Sequence, residues 1–498
     1  MKKISLILLA SAGLLSLLPS CKKKSTETTT PSTPPFQIGQ AITPGNLGAG
    51  SYKGTMTSGN TYTLTGDPFI INKGDTLLLQ NNVKVCVAAN VTIIVKGTLI
   101  SLGTQANPNW FTCCTETKTD QVGLLPASDN AYSAKWTGIN CDTTCKLCDL
   151  QWTHVEFTGA SFPVNEPFNG GASGGTSFSL LFQNPNGDCI FTDSWIYGCI
   201  DDCFRIAGGR IYFARNTLEK MGLTGGDGLN AKHGTQGDMA YNLCIGNATN
   251  STKCSDKGAG VMPQCNINMY NNTYVDCGYR QASFASRGSD IDYEQGGRGL
   301  CYNNLIVNCR NGVRIGDGQN GIPMPDTANT TCGYNYIYAD SGHEVNQFYP
   351  IVAGTWTRAN TYIIPSAAQF NLPAGFYHPA QLPVVNGDDD LAYNDSVALA
   401  GANKPMFVNF PLPEHVAGHD LSAIASVETG KADVGSNYDF HLQAGSPAIG
   451  KGYTGFSAFA NIANPVTNDV TNTNFKPVVT QPGVDIGCYQ MNGSGNQH

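Results

Sequence analysis

The sequence predicts an all-β chain wound as a solenoid of stacked short strands, and three observations predict it. The first is an internal repeat. Asp193, Asn216, Asn242, Asn271, Asn303 and Asn335 recur at spacings of 23, 26, 29, 32 and 32 residues, and the positions around them fall into columns. Tyr241, Tyr270, Tyr302 and Tyr334 each precede an anchor, while Cys199, Gly222, Ala248, Cys277, Cys309 and Ser341 stand six after one. A period of roughly 20–50 residues with position-specific side chains marks a repeat architecture. The second is the local pattern. Runs such as Trp195-Ile196-Tyr197, Leu305-Ile306-Val307 and Tyr336-Ile337-Tyr338 are separated by Gly, Asn and Asp, and no stretch carries a long helical period. The third is composition: 57 Gly in 498 residues and 13% charged residues suit many short strands joined by tight turns.

A single repeat cannot bury its apolar side, whereas stacked repeats bury a continuous one with coils about 4.8 Å apart. In such a stack the anchor Asn accepts from one coil and donates to the next. That satisfies polar atoms that would otherwise cost about 1–3 kcal/mol each. The Tyr-Asn-Asn runs at 270–272 and 302–304 and the motifs Cys203-Phe204-Arg205-Ile206 and Gly312-Val313-Arg314-Ile315 carry a resemblance. Over roughly residues 70–345 the chain resembles the right-handed parallel β-helix proteins of the pectate-lyase-like superfamily. The resemblance implies an all-β, right-handed parallel β-helix with loop insertions and an irregular C-terminal cap. It is specific for fold and leaves activity open, because such helices serve as lyases, hydrolases, adhesins and scaffolds.

Read in order, residues 1–20 have the pattern of a secretory signal: Lys2 and Lys3, an apolar run at 4–18, then Leu18-Pro19-Ser20-Cys21. A small residue directly before Cys resembles a bacterial lipobox of the Bacteroidetes lipoprotein type, which implies lipidation of Cys21 and a place in the cell envelope, at the outer membrane. Acyl chains there would be the only membrane attachment. Lys22-Lys23-Lys24 departs from the acidic surface-export signal of some such lipoproteins, so the membrane face stays open. Residues 21–35, rich in Lys, Ser, Thr and Pro, form a flexible tether. Residues 36–345 form the β-helix, with 36–70 leading into or capping the first coil. Residues 75–112 alternate apolar and polar positions, and 113–133 and 160–178 are extruded loops where binding sites are built. The repeat fades after 345, and 346–498 form an irregular extension of the same domain covering the last coil.

The balance of 29 Lys+Arg against 37 Asp+Glu excludes the basic footprint that nucleic acid needs. It also provides no global steering toward an acidic polysaccharide. Eighteen Cys favour an oxidising compartment, and with Cys21 lipidated an odd number remains. Cys141, Cys145 and Cys148 invite a zinc reading with His154 as a possible fourth ligand, set against disulfides. Cys277 and Cys309 share a column as stacked thiols or as a bridge between coils. Asp388-Asp389-Asp390 reads as a solvated acidic loop before a calcium site.

The strongest chemical cluster is Gly226-Asp227-Gly228-Leu229-Asn230-Ala231-Lys232-His233-Gly234, followed by Asp238. It resembles the Asp-Gly-Leu…Lys strand of pectate lyases. The resemblance implies Ca²⁺ on Asp227 and Asp238, Lys232 or His233 as base, and Arg298 or Arg314 on the substrate carboxylate. A second carboxylate expected near Asn230 is absent. Strand alternation places Asp227, Leu229 and Ala231 on one face and Asn230 and Lys232 on the other. Asp201-Asp202-Cys203 resembles the paired-Asp strand of polygalacturonase-like hydrolases, which implies acid–base work for Asp202. The segment from Arg287 to Arg298 reads as an extruded loop with self-compensating charges. Exposed aromatics and Asn-rich loops also fit sugar binding without turnover. The leading expectation is a lipid-anchored envelope protein whose β-helix presents a face to a polysaccharide or an envelope protein, with Ca²⁺ as the one cofactor the resemblance offers. The alternative is a polysaccharide lyase acting on a uronate-containing chain.

Overall fold

The computed structural model describes residues 36–118, 129–162, 174–223, 225–256, 263–278, 288–307, 309, 311–315, 326, 329–338, 404–410, 438–459, 462 and 476–498. Cys21, Arg287, the acidic triplet at 388–390 and the tips of both expected loops lie outside those residues.

Three long parallel sheets make a right-handed parallel β-helix. Each coil gives one strand to each sheet in turn. Sheet I has eleven strands, from Gly45–Leu47 to Tyr336–Tyr338; sheet II has ten, from Gly50–Ser51 to Asn311–Ile315; sheet III has ten, from Gly54–Met56 to Thr330–Gly333. The first coil therefore begins at Gly45, inside the stretch expected only to lead in. Inward positions repeat in register: Phe204, Leu229, Thr252, Ile291 and Val313 stack on sheet II, and Cys148, Cys189, Ile211, Gly237 and Ile267 on sheet III. These files merge into one core, in which nearly every member is fully buried. The 3₁₀ turn Asn130–Tyr132 is the one helix described over its whole length.

The turn from sheet III to sheet I holds the predicted Asn file, displaced by one residue in the coils of Asn271 and Asn303 and in that of Asp193, where Ser194 takes the file position. The file is Asn216, Asn242, Asn272, Asn304 and Asn335. Each of the first four donates its backbone N–H and its side-chain Nδ2 to the Oδ1 of the next, at 2.8–3.2 Å. Asn271 and Asn303 stand one residue earlier, in a left-handed position shared with Asp193, Arg215, Tyr241 and Tyr334, where φ lies between 51° and 61°. The slip has a local cause. Tyr241 and Tyr334 occupy the left-handed position, but Tyr270 and Tyr302 precede it. Aligning every coil on Tyr thus misplaces the coils that carry two Asn.

The described C-terminal residues run along the flank of the stack, and Tyr453 stacks on Tyr334 of its last coil. Arg215 donates to Val478 O and Thr480 Oγ1, Tyr241 to Gln481 O, Asn271 to Asp485 O and Asn303 to Tyr453 O. Phe407–Asn409 and Asp439–Leu442 form a separate antiparallel pair. Disulfides join Cys86 to Cys114 and Cys199 to Cys203.

Candidate functional site

Two features stand out on the outer faces: a charged cluster on sheet II and an aromatic groove on sheet I.

The cluster is built by register. Arg205, Asn230, Lys253, Asp292 and Arg314 form one outward file across five coils, and Ala207, Lys232, Ser255 and Glu294 form the next. Asp202 and Asp227 enter from the turns that precede their strands. Asp227 comes before the strand Leu229–Lys232, so alternation does not govern it. Its carboxylate accepts from Asn230 Nδ2 at 2.7 Å, on the face opposite to the one alternation assigned. Asn230 Nδ2 also donates to Asp202 at 2.9 Å, and the Asp227 backbone N–H donates to Asp202 at 2.7 Å. Lys253 Nζ lies 3.6 Å from Asp227, 3.5 Å from Asp292 and 2.7 Å from Glu294. Arg314 Nη1 reaches Asp292 at 2.8 Å and Glu294 at 3.1 Å. Both cations and all four carboxylates are buried.

Electrostatics follow from this crowding. Burial, with Asp227 and Asp201 nearby, pushes Asp202 up to about 6. Burial likewise raises Asp292 to about 6, against the pull of Arg314. Glu294 falls to about 2 because Lys253 and Arg314 outweigh its burial. Lys232, half-buried, is lowered by desolvation and by Lys253.

Of the expected site residues, Asp202, Asp227, Lys232 and Arg314 do share this face. Arg314 cannot serve as an open clamp, since it is buried and its guanidinium already holds two carboxylates. His233 is exposed at the end of its strand, in a left-handed turn. Arg298 sits before the sheet III strand Gly299–Tyr302, 3.8 Å from Asp326, and does not join the cluster. Asp238 lies on sheet III, where its carboxylate accepts from Phe459 N at 2.9–3.0 Å, so it never meets Asp227. The donor set does not fit calcium. The ion needs six to eight oxygens, whereas N–H donors from Asn230, Asn250 and Lys253 face Asp227. The charges of the 287–298 segment are not compensated within a loop. Ser289–Glu294 is a strand, and Lys253 and Arg314 reach it from the coils on either side.

The groove was not foreseen as a site. In sheet I, Lys84, Trp110, His154, Trp195 and Thr217 pair in register. The His154 ring stacks on Trp110 at 3.5 Å and on Trp195 at 4.1 Å, within 6° of parallel, and His498 continues the stack on Trp195 at 3.9 Å. Burial lowers the pKa of His154, so the ring is neutral at neutral pH. His154 is thus a spacer between two indoles and no partner of Cys141, Cys145 or Cys148, which are buried inside the coil. Beside this file run Thr112, Glu156, Tyr197 and Glu219. With Glu116, Lys118 and the Cys114 end of a disulfide, they line a cavity of about 370 Å³. Glu219 is held by Lys118 at 2.7 Å, and Glu156 by Thr112 at 2.8 Å. A sequence signal existed in the recurrence of Trp and His at 110, 154 and 195, but the long insertions between coils hid it.

Comparison with family models, with curated proteins and with solved structures returns no match, so fold and site geometry alone carry the functional reading.

Proposed function

We propose that this is an envelope protein, anchored through lipid on Cys21, whose β-helix binds a neutral polysaccharide in the sheet I groove. The observation that carries the reading is the ring stack. His154 and Trp195 have both faces covered by neighbours, but Trp110 ends the stack, and its second face turns toward the rung of the exposed Lys84. A sugar ring laid on that face gains apolar contact, while Glu116, Lys118 and Glu156 along the cavity supply hydrogen bonds to hydroxyls. Three Glu against two Lys in the lining disfavour a uronate. The test is calorimetric titration with neutral and uronate oligosaccharides. A neutral oligosaccharide should bind, and Trp110→Ala should weaken it at least about tenfold, or about 1.4 kcal/mol. Tighter binding of uronates, or indifference to Trp110→Ala, would refute the assignment.

One observation favours a second reading, a pectate-lyase-like polysaccharide lyase. Lys232, with its lowered pKa, stands at the rim of the sheet II cluster as a candidate base. Unsaturated uronate products that vanish in Lys232→Ala would establish it.

A further inference from the structure

We propose that Cys277, Cys309 and Asp290 form a structural site for a thiophilic divalent cation, zinc by the chemistry of the donors, at the corner between sheets I and II. Cys277 and Cys309 each stand two residues beyond a sheet I strand, Thr273–Val275 and Leu305–Val307, whose last residues pair in register. The thiols therefore lie one above the other on successive coils, and the Cys277 backbone N–H points at Cys309 Sγ, 3.4 Å away. Asp290 comes from the adjoining sheet II strand Ser289–Glu294. One ligand atom from each of the three lies within 4.8 Å of the others, and among the described residues no other His, Cys, Asp and Glu group meets that spacing. Cys141, Cys145 and Cys148, the trio the sequence suggested, do not meet it.

Asp290 supplies an independent reason. It is 1% exposed, its Oδ1 meets Ser251 Oγ at 3.3 Å, and its Oδ2 has no hydrogen-bond partner. Among the described residues no Lys, Arg or His lies within ion-pair distance of it, unlike Asp227, Asp292 and Glu294. Buried carboxylates normally meet a cation or a full set of donors. An ion between Oδ2 and the two sulfurs supplies the partner that this oxygen lacks.

Zinc prefers tetrahedral S and O ligands, with Zn–S near 2.3 Å and Zn–O near 2.0 Å, so donor atoms should stand roughly 3.5 Å apart. Ser251 Oγ donates to the other carboxylate oxygen at 3.3 Å and so orients Asp290 toward the ion. Binding releases the protons of both thiols and of any protonated carboxyl to solvent. With all three residues buried, the site is closed and pins two coils to the neighbouring sheet.

The experiment uses the full chain, purified in detergent with a reductant, titrated with Co²⁺ and then Zn²⁺. A thiolate-to-cobalt charge-transfer band should appear, and zinc should displace it. It should disappear in Cys309→Ser, persist in Cys148→Ser, and need at least about tenfold more metal in Asp290→Asn. A band unaffected by Cys309→Ser overturns the proposal, as does a Cys277–Cys309 disulfide in non-reduced peptide maps. Should Cys309→Ser fail to fold, differential alkylation of the unaltered chain in mild denaturant decides. Zinc must shield Cys277 and Cys309 together, and equal labelling with and without zinc refutes the site.

Discussion

Replacing Asn272 by Ala removes one rung of the buried amide file, and its effect can be worked from the bonds it breaks. The Asn272 Oδ1 accepts from the Asn242 backbone N–H at 2.9 Å and from Asn242 Nδ2 at 3.0 Å. Its Nδ2 donates to Met239 O and to Asn304 Oδ1, both at 3.0 Å. Truncation leaves two donors of Asn242 without partners where both residues are 0% exposed. At about 1–3 kcal/mol per orphaned buried group, the loss is about 4 kcal/mol. The neighbouring Asn271 is the control. Asn271→Gly keeps the left-handed turn and gives up bonds to Asp485 O, Gly483 N and Asn303 Nδ2, but Asp485 O and Asn303 Nδ2 keep other partners and Gly483 is half-buried, so it should cost at most about 2 kcal/mol. Asn272→Asp adds a pH arm. A buried carboxylate facing Asn304 Oδ1 is repelled, while the protonated acid can donate to it. The folded-state pKa is therefore raised, and stability falls as pH rises from about 4. Urea unfolding followed by far-UV circular dichroism, read as a midpoint at constant slope, measures all three. Equal losses for Asn272→Ala and Asn271→Gly would refute the assignment of the file.

The sheet II cluster yields further outcomes. Lys253→Met strands Asp227, Asp292 and Glu294 and should lower stability by about 3–5 kcal/mol. Arg314→Ala should do the same by leaving Asp292 and Glu294 with one cation fewer. An Arg314 that clamps substrate would instead lose activity with the melting temperature unchanged. The pH dependence has two limbs. Glu294, depressed to about 2, contributes stability above its usual value near 4.3 that is lost as pH falls toward 2. Asp202 and Asp292, raised to about 6, bind protons more tightly when folded, so their contribution falls as pH rises from about 4 to about 6. Asp202→Asn should flatten the second limb in melting temperatures recorded across that range. An unchanged limb would place the titration elsewhere.

The architecture was legible because it is written into short-range alternation and a tolerant period, and both survive an error of one residue. The file itself was legible only in part. Tyr-Asn and Tyr-Asn-Asn look equivalent as strings, yet the backbone turns at the first residue of Tyr-Asn and at the second of Tyr-Asn-Asn. Asp227 was assigned to the wrong face for a related reason: alternation holds inside a strand, and Asp227 precedes one. Lys253 and Glu294 carry no local signature. They matter only because residues 39 to 41 positions apart meet across coils, and a coil interrupted by a long insertion hides that meeting from the sequence.

Charge balance decides which outer face is free to bind. On sheet II the carboxylates of Asp202, Asp227, Asp292 and Glu294 and the cations Lys253 and Arg314 already face protein partners. A ligand entering there must break charge-assisted bonds at about 1.5–3 kcal/mol each before it gains any. The file works as a clasp that fixes five coils in register, and its perturbed pKa values arise from burial of the clasp. On sheet I the ring stack consumes the faces of His154 and Trp195 but leaves one face of Trp110 beside a cavity with Glu and Lys at its walls. A sugar there displaces water from an aromatic face, and the Lys118–Glu219 and Lys135–Glu116 pairs at the walls keep spare donor and acceptor positions for its hydroxyls. The two faces thus divide the labour, one holding the stack and the other left able to gain contacts.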